Sequence, residues 1–327
     1  MLLNINKNTT TGIIHCYLEP TYESPRGLSI CDLFATLVHN PSNEIIHNHV
    51  TKNLKLTTKI NIMEKSKHQA IREYELDTWT RCSSSYNETW ATLTNETLPL
   101  LISKTNVNSN CSVLDIGCGA GNSTKKISET GANVIGIDFS EKMINEAKSA
   151  HSGIIFKQSD AENIPLKDNS IDVVIANFIV HHLPEPNKVF KEINRVLKPE
   201  GKFAFAVWGA KQEQSSLGAF FQAFGNHHEL SELPHGPLFG VTDFDTYNGF
   251  VSNASLKNFK LEKLDTKWNM KSLDPLINGC WDWGNLNLFP ENKQNDIKND
   301  VIKNCESFKT EDGYSFPHSA MIGYAEK

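Results

Sequence analysis

No run of apolar residues in this sequence approaches the roughly 20 that a membrane-spanning helix requires, and basic charge is not in excess. The chain has 32 Lys and Arg against 38 Asp and Glu, for a formal net charge of −6 at pH 7. That balance speaks against a broad nucleic-acid or membrane-surface footprint. The beginning of the chain lacks a basic-then-apolar signal segment, and Arg26 is alone among residues 1–62, which disfavours a transit peptide. The seven cysteines (Cys16, Cys31, Cys82, Cys111, Cys118, Cys280 and Cys305) are odd in number, scattered, and nowhere arranged as CxxC. Zinc ribbons and redox dithiols are thereby disfavoured, and a reduced, cytoplasmic setting is expected. HExxH spacing is also missing, and His227, His228 and His235 do not supply it, so no metal is expected. There is no internal repeat.

What is present suits a globular fold. Hydrophobic residues make up 39% of the 327 and charged residues 21%, enough for an ordinary core. Residues 1–62 are polar and weakly patterned, and are expected to form an N-terminal extension outside the fold, of a composition compatible with disorder. A single domain is expected over 63–327. Its first part, 64–103, is rich in helix formers and carries Tyr74, Trp79, Tyr86 and Trp90. These rings either pack on the core or place a lid over a ligand, with Tyr86 the best candidate to face it.

The organising stretch is Val113-Leu114-Asp115-Ile116-Gly117-Cys118-Gly119-Ala120-Gly121. It reads as a short buried strand followed by glycines at alternate positions, where the backbone must turn sharply and a ligand can approach the main chain. Asn122-Ser123-Thr124 then opens a helix. A strand, a glycine turn and a helix start make a nucleotide-binding geometry.

Further strands follow at regular spacing: 133–138, 154–160, 171–177 and 202–208. Between them lie a helix over Glu141–Ala150, capped by Ser140, and another with Val189, Phe190, Ile193, Val196 and Leu197 on one face. Near-continuous apolar strands alternating with helices predict a doubly wound α/β sheet. The alternation breaks over 209–255, which reads as a small cap with the stripe Leu217, Phe220, Phe221 and Phe224. A late helix is expected around Ile297–Phe308.

In an open α/β sheet the ligand sits beyond the carboxyl ends of the strands. Asp115, Asp138, Asp160 and Asn177 each fall at or just before such an end. A carboxylate is acceptor-only and can take both hydroxyl protons of a ribose, the role expected of Asp138. Asp160 with Ala161 suits an adenine amino group or the capping of the following turn, and Asn177 suits the reactive end of the ligand or a structural turn.

The segments VLDIGCGAGNST, VIGIDFSEKMI and QSDAENIPLKDNSIDVVIANFIVHHLPEPNKVFKEINRVLKPEGKF together resemble the class I S-adenosylmethionine-dependent methyltransferases. The nearest group is the branch of ubiquinone and menaquinone C-methyltransferases and related small-molecule enzymes. The resemblance is dense from about 111 to 208, thin on either side, and absent over 1–62. It implies a seven-stranded sheet of order 3-2-1-4-5-7-6, the last strand antiparallel, with strands six and seven near 257–268 and 314–325. It implies S-adenosyl-L-methionine as cofactor. Gly117, Cys118 and Gly119, with Gly121 closing the turn, would line the methionine and ribose portion above Asp115. Asp138 would hold the ribose, Phe139 and Met143 would lie against the adenine, Asp160 and Ala161 would meet its edge, and Asn177 would sit near the sulfonium.

Methyl transfer from a sulfonium is an in-line displacement in which positioning and water exclusion do most of the work. Where the acceptor must lose a proton, His181 and His182 are placed to take it. Tyr86, Phe220 and Phe224 are the expected lid or acceptor-wall residues, facing a small, partly apolar acceptor. Two rivals remain at this level. One is a protein of the same fold that binds the cofactor without catalysis, as a scaffold. The other is an NAD-dependent oxidoreductase, against which Asn122 stands where a GxGxxG turn needs its last glycine. The absence of an Asn/Asp-Pro-Pro-Tyr-type motif after the fourth strand disfavours a nucleic-acid substrate.

Overall fold

The computed structural model describes residues 67–227 and 234–327 and, for backbone pairing alone, a short antiparallel pair, Asn6–Lys7 with Ile14–His15. The remainder of the expected extension, 1–62, lies outside the described residues. The chain divides into two compact units, Met1–Gln69 and Ala70–Lys327. The second holds the sheet.

Its strands are β1 (Ser112–Ile116), β2 (Asn133–Asp138), β3 (Ile155–Gln158), β4 (Ile171–Asn177), β5 (Leu197–Trp208), β6 (Lys257–Met270) and β7 (Gly313–Glu326). They lie in the order 3-2-1-4-5-7-6, with β7 antiparallel to both neighbours and a two-residue strand, Lys309–Thr310, beside its start. This is the expected topology. β1 and β4 sit in the middle, and their Val, Leu and Ile runs are buried on both faces, as parallel strands under helices must be. In register, Asp115 of β1 lies opposite Gly136 of β2 and Ile175 of β4. β5 begins earlier than expected. Leu197 already pairs with Ile171, and the Pro199-Glu200-Gly201 bend is absorbed as an irregularity in register.

Three helices precede the sheet: α1 (Lys67–Cys82), α2 (Trp90–Thr94) and α3 (Leu98–Thr105). Next come α4 (Asn122–Ser128) and α5 (Glu141–Ala150), the second capped by Ser140, whose Oγ accepts the Met143 N–H. α6 (Pro186–Val196) starts on a proline, which needs no N–H partner there, and buries Val189, Phe190, Ile193 and Val196. After β5 come α7 (Ser215–Gly225) and α8 (Phe244–Asn253), and between β6 and β7 come α9 (Asp274–Gly284) and α10 (Glu291–Cys305).

These helices close separate cores. One face of the sheet packs Phe203 and Phe205 against Phe190 of α6 and Tyr247 of α8. The opposite face receives Leu98 and Leu101 of α3 and Ile127 of α4. A third cluster gathers Trp90, Phe220, Trp268, Ile297 and Phe316 from α2, α7, β6, α10 and β7. The segment expected as one cap, 209–255, therefore divides. α7 packs on α10 in the third cluster, whereas α8 lies on α6 and β6 as a covering helix of the sheet.

Candidate functional site

β1 ends at Ile116, and the chain turns through Gly117 (φ +67°), Gly119 (+52°) and Gly121 (+89°). Each is in the left-handed region that side chains avoid. Space is limiting as well at Gly117, where a Cβ would lie 2.8 Å from the Ile179 side chain. The turn is fastened from the neighbouring strand, since the Gly119 N–H donates to Asp138 Oδ2 at 3.0 Å. The other Asp138 oxygen accepts from the Ser140 N–H at 2.9 Å. Asp138 is buried, and burial pushes its carboxyl up to about 6 despite those donors. Asp115 is buried one strand away, its Oδ2 accepting the hydroxyls of Ser123 and Thr124 at 2.6 Å each. Its Oδ1 has no hydrogen-bond partner among the described residues, and burial raises this carboxyl to about 6 too.

Two adjoining clefts of about 560 Å³ each open at the carboxyl ends of β1, β2 and β4. They share Gly117, Asp138, Phe139, Ile179, His182 and Trp79. The first also holds Asp160 and Ala161, and the second Gly119, Met143, Asn177 and Tyr86. Asp160 is engaged from α1, where Arg72 donates to its Oδ2, while Oδ1 accepts the Glu162 N–H. Asn177 is oriented at both ends, its Oδ1 accepting from Thr97 Oγ1 at 2.7 Å and its Nδ2 donating to the Thr94 carbonyl at 3.0 Å. Phe178, the next residue, is held at φ +57°, an uncommon conformation for a bulky side chain that clusters at functional sites. The Tyr86 ring stands over Gly119, where an added Cβ would come within 3.5 Å of it. Burial and the nearby Asp138 and Asp115 push the Tyr86 hydroxyl up to about 12.

Several expected residues lie elsewhere. The Cys118 side chain turns away from the clefts into a small cluster with Ile144, Ala147 and Phe156, because it alternates with the glycines that face the ligand side. Gly121 lies behind the turn, against His151 and Phe156. Phe220 and Phe224, expected at the acceptor wall, line neither cleft. Their rings stack at 5.9 Å inside the third cluster, because the apolar face of α7 is used up against α10. The two histidines part company as well. His181 is buried, with no hydrogen-bond partner on either ring nitrogen among the described residues, and burial drives its imidazole well below the ordinary value. His182 lines both clefts.

A family profile for the methyltransferase domain matches residues 114–205, the stretch from β1 to β5. Among curated relatives, an uncharacterized methyltransferase of Oceanobacillus iheyensis is 33% identical over 168 residues, covering 49% of this chain and 78% of that protein. The chain belongs to the methyltransferase family. A demethylmenaquinone methyltransferase of Lactobacillus johnsonii is 41% identical over 99 residues, but the match spans only 27% of this chain and 40% of that relative. Among solved structures, the YcgJ protein of Bacillus subtilis aligns over 71% of this chain and 98% of its own, at 21% identity and a TM-score of 0.49.

Membership brings S-adenosyl-L-methionine as cofactor, and the methyltransferase's own residues fit it. The desolvated Asp138 carboxylate lines both clefts and is an acceptor suited to a ligand rich in donors, whereas Asp115 is fully buried and lines neither. Gly117 and Gly119 present bare backbone to the same space. Sequence reasoning did not single out Arg72, Glu75 or Ile179, all of which line the first cleft. A charged residue on a helix reads as a solvated face, and only burial reveals otherwise.

Proposed function

We propose that this methyltransferase moves a methyl group from S-adenosyl-L-methionine to a small, partly apolar acceptor. The observation that carries the reading is the meeting of Asp138, Gly117 and Gly119 with an aromatic wall in one pair of clefts. Trp79, Tyr86, Trp90, Phe178 and Trp208 line the second cleft, and such rings bury a flat or apolar acceptor and keep water from the reaction.

The cofactor, when bound, supplies an electrophilic methyl on a sulfonium. The chain's residues do the rest by position. Asp138 would take the ribose hydroxyls, with Phe139 and Met143 against the adenine and Asp160 with Ala161 at its edge. Gly117, Gly119 and the backbone of Cys118 would follow the methionine portion, above Asp115 and before Gly121. Asn177, fixed by Thr94 and Thr97, would face the reacting end. Tyr86 would cover it. Of the two histidines, His182 has the access that proton transfer needs. The five described cysteines (Cys82, Cys111, Cys118, Cys280 and Cys305) are free thiols, which supports a reducing, cytoplasmic setting.

Isothermal calorimetry of the purified protein with S-adenosylmethionine, NAD and NADP tests this reading. Micromolar binding of the sulfonium cofactor alone, followed by radiolabelled methyl transfer to members of a small-molecule panel, is expected. Binding without transfer to any acceptor would favour the scaffold reading, and binding of NAD instead would overturn the assignment of the glycine turn.

A further inference from the structure

Glu75 has a setting unlike that of an ordinary helical glutamate. It lies in α1, is 6% exposed, and has no lysine or arginine partner among the described residues. Its two oxygens are divided between two ring nitrogens. Oε2 accepts the Trp79 indole N–H at 2.9 Å, and Oε1 lies 2.9 Å from His182 Nδ1. The Trp79 ring stands edge-on to the imidazole, at 5.2 Å and 85°. Because a carboxylate can only accept, a neutral imidazole held this way carries its proton on Nδ1 and keeps its lone pair on Nε2. With Nδ1 committed, Nε2 is the nitrogen available to the clefts that His182 lines beside Gly117 and Asp138.

We propose that Glu75 is a positioning residue that sets His182 as a general base, and that the acceptor therefore attacks through an atom that must lose a proton. This rests on the methyl-transfer reading above and narrows its acceptor to a hydroxyl, a protonated nitrogen or an activated carbon acid. A thioether or a tertiary amine, which has no proton to lose, is excluded. In the step, the electron pair of the attacking atom forms the bond to the methyl carbon. The carbon–sulfur bond breaks with its pair passing to sulfur. The proton of the attacking atom passes to His182 Nε2, and the imidazolium so formed faces the Glu75 carboxylate.

Other cleft residues are committed elsewhere. Asp138 accepts from Gly119 and Ser140, Asp160 accepts from Arg72, and the Tyr86 hydroxyl is held near 12 by burial. His181 faces inward. The base is also built by the helix that covers it, because α1 supplies Arg72 to Asp160, Trp79 to the wall and Glu75 to His182. A plainer reading is that Glu75 and His182 only fasten α1 in place.

The tautomer of His182 tests the arrangement the proposal requires without any need to know the acceptor, and the kcat–pH profile separates the two readings. Full-length protein carrying ¹⁵N-histidine, with S-adenosylhomocysteine added, is examined by long-range ¹H–¹⁵N correlation at about pH 9, where imidazoles are neutral. The expected signature is Nδ1–H in the wild type and in Glu75→Gln, whose amide oxygen still accepts, and loss of that preference in Glu75→Leu. Nε2–H in the wild type, or no response to Glu75→Leu, would overturn the proposal. If Glu75→Leu does not fold, the wild type and Glu75→Gln still report the tautomer, and Nε2–H in either overturns the proposal. On an acceptor found in the radiolabel screen, His182→Gln should lower kcat by about 10²–10⁴-fold, and Glu75→Leu should displace the rising limb of the kcat–pH profile. An undisplaced limb would leave Glu75 a mere fastener. Calorimetry with S-adenosylhomocysteine keeps the two levels apart. Loss of binding there sinks the methyl-transfer reading, whereas a wrong tautomer with binding intact sinks only this one.

Discussion

The backbone N–H of Gly119 donates to the carboxylate of Asp138 at 3.0 Å, tying the glycine turn after β1 to the end of β2. The acid expected to hold a ribose thus also holds the turn that faces the rest of the ligand. Asp138→Ala removes both functions. It should weaken S-adenosylmethionine binding at least about tenfold, since each charge-assisted hydrogen bond contributes about 1.5–3 kcal/mol. Calorimetry on the variant checks this, and unchanged affinity would remove Asp138 from the ribose.

The same carboxyl makes binding depend on pH. Burial raises it from 3.8 to about 6, so the folded protein holds this proton more tightly than the unfolded chain does. Its contribution to stability, and that of Asp115, therefore falls as pH rises through roughly 4 to 6. Ribose hydroxyls donate to the ionised form, so affinity should move the opposite way. It should gain about tenfold between pH 5 and pH 7, with release of a proton. Calorimetric titrations in buffers of different ionisation enthalpy report both quantities, and a flat profile would mean that Asp138 does not meet the ligand as a carboxylate.

Gly117 and Gly119 share a left-handed backbone but not the same space. Alanine at Gly119 would make ordinary contact with the Tyr86 ring, whereas at Gly117 it would meet Ile179 at 2.8 Å. Gly119→Ala should cost about 1–2 kcal/mol from its backbone alone, and Gly117→Ala more. Adding Ile179→Ala should recover part of the loss at Gly117 and none at Gly119. Urea unfolding of the single and double variants measures this coupling.

Phe220 offers a contrast between core and site. Its ring is buried in the third cluster, stacked on Phe224 and away from both clefts. Phe220→Ala should cost about 3–5 kcal/mol of stability and leave cofactor affinity unchanged below the lowered melting temperature. A large rise in acceptor KM with stability and cofactor affinity intact would restore the ring to the acceptor wall.

The sheet was legible because its signals are local. The apolar runs of β1, β2 and β4, the glycines between β1 and α4, and the 3.6-residue stripe of α6 each reflect a backbone preference or the burial of the segment's own faces. Strand-end acids were legible for the same reason, since their place in the chain fixes their place at the sheet's edge. The stripe of α7 was visible too, but periodicity says only that a face is buried and not what buries it, so Phe220 and Phe224 went to α10 instead of the ligand. The alternation that made Gly117, Cys118 and Gly119 look like one lining also turned the Cys118 side chain away.

By itself, then, the sequence determined the alternating strands and helices, the glycine turn and the edge of the sheet where a ligand belongs, because these follow from short-range pattern, and the family resemblance of one continuous stretch implied the strand order and the cofactor. Tertiary structure decided which histidine faces the clefts, which aromatic rings form their wall, and that a glutamate 107 positions away meets His182. Such choices depend on burial and long-range packing. A charged side chain shows its purpose only when the fold removes it from water and fixes its partners.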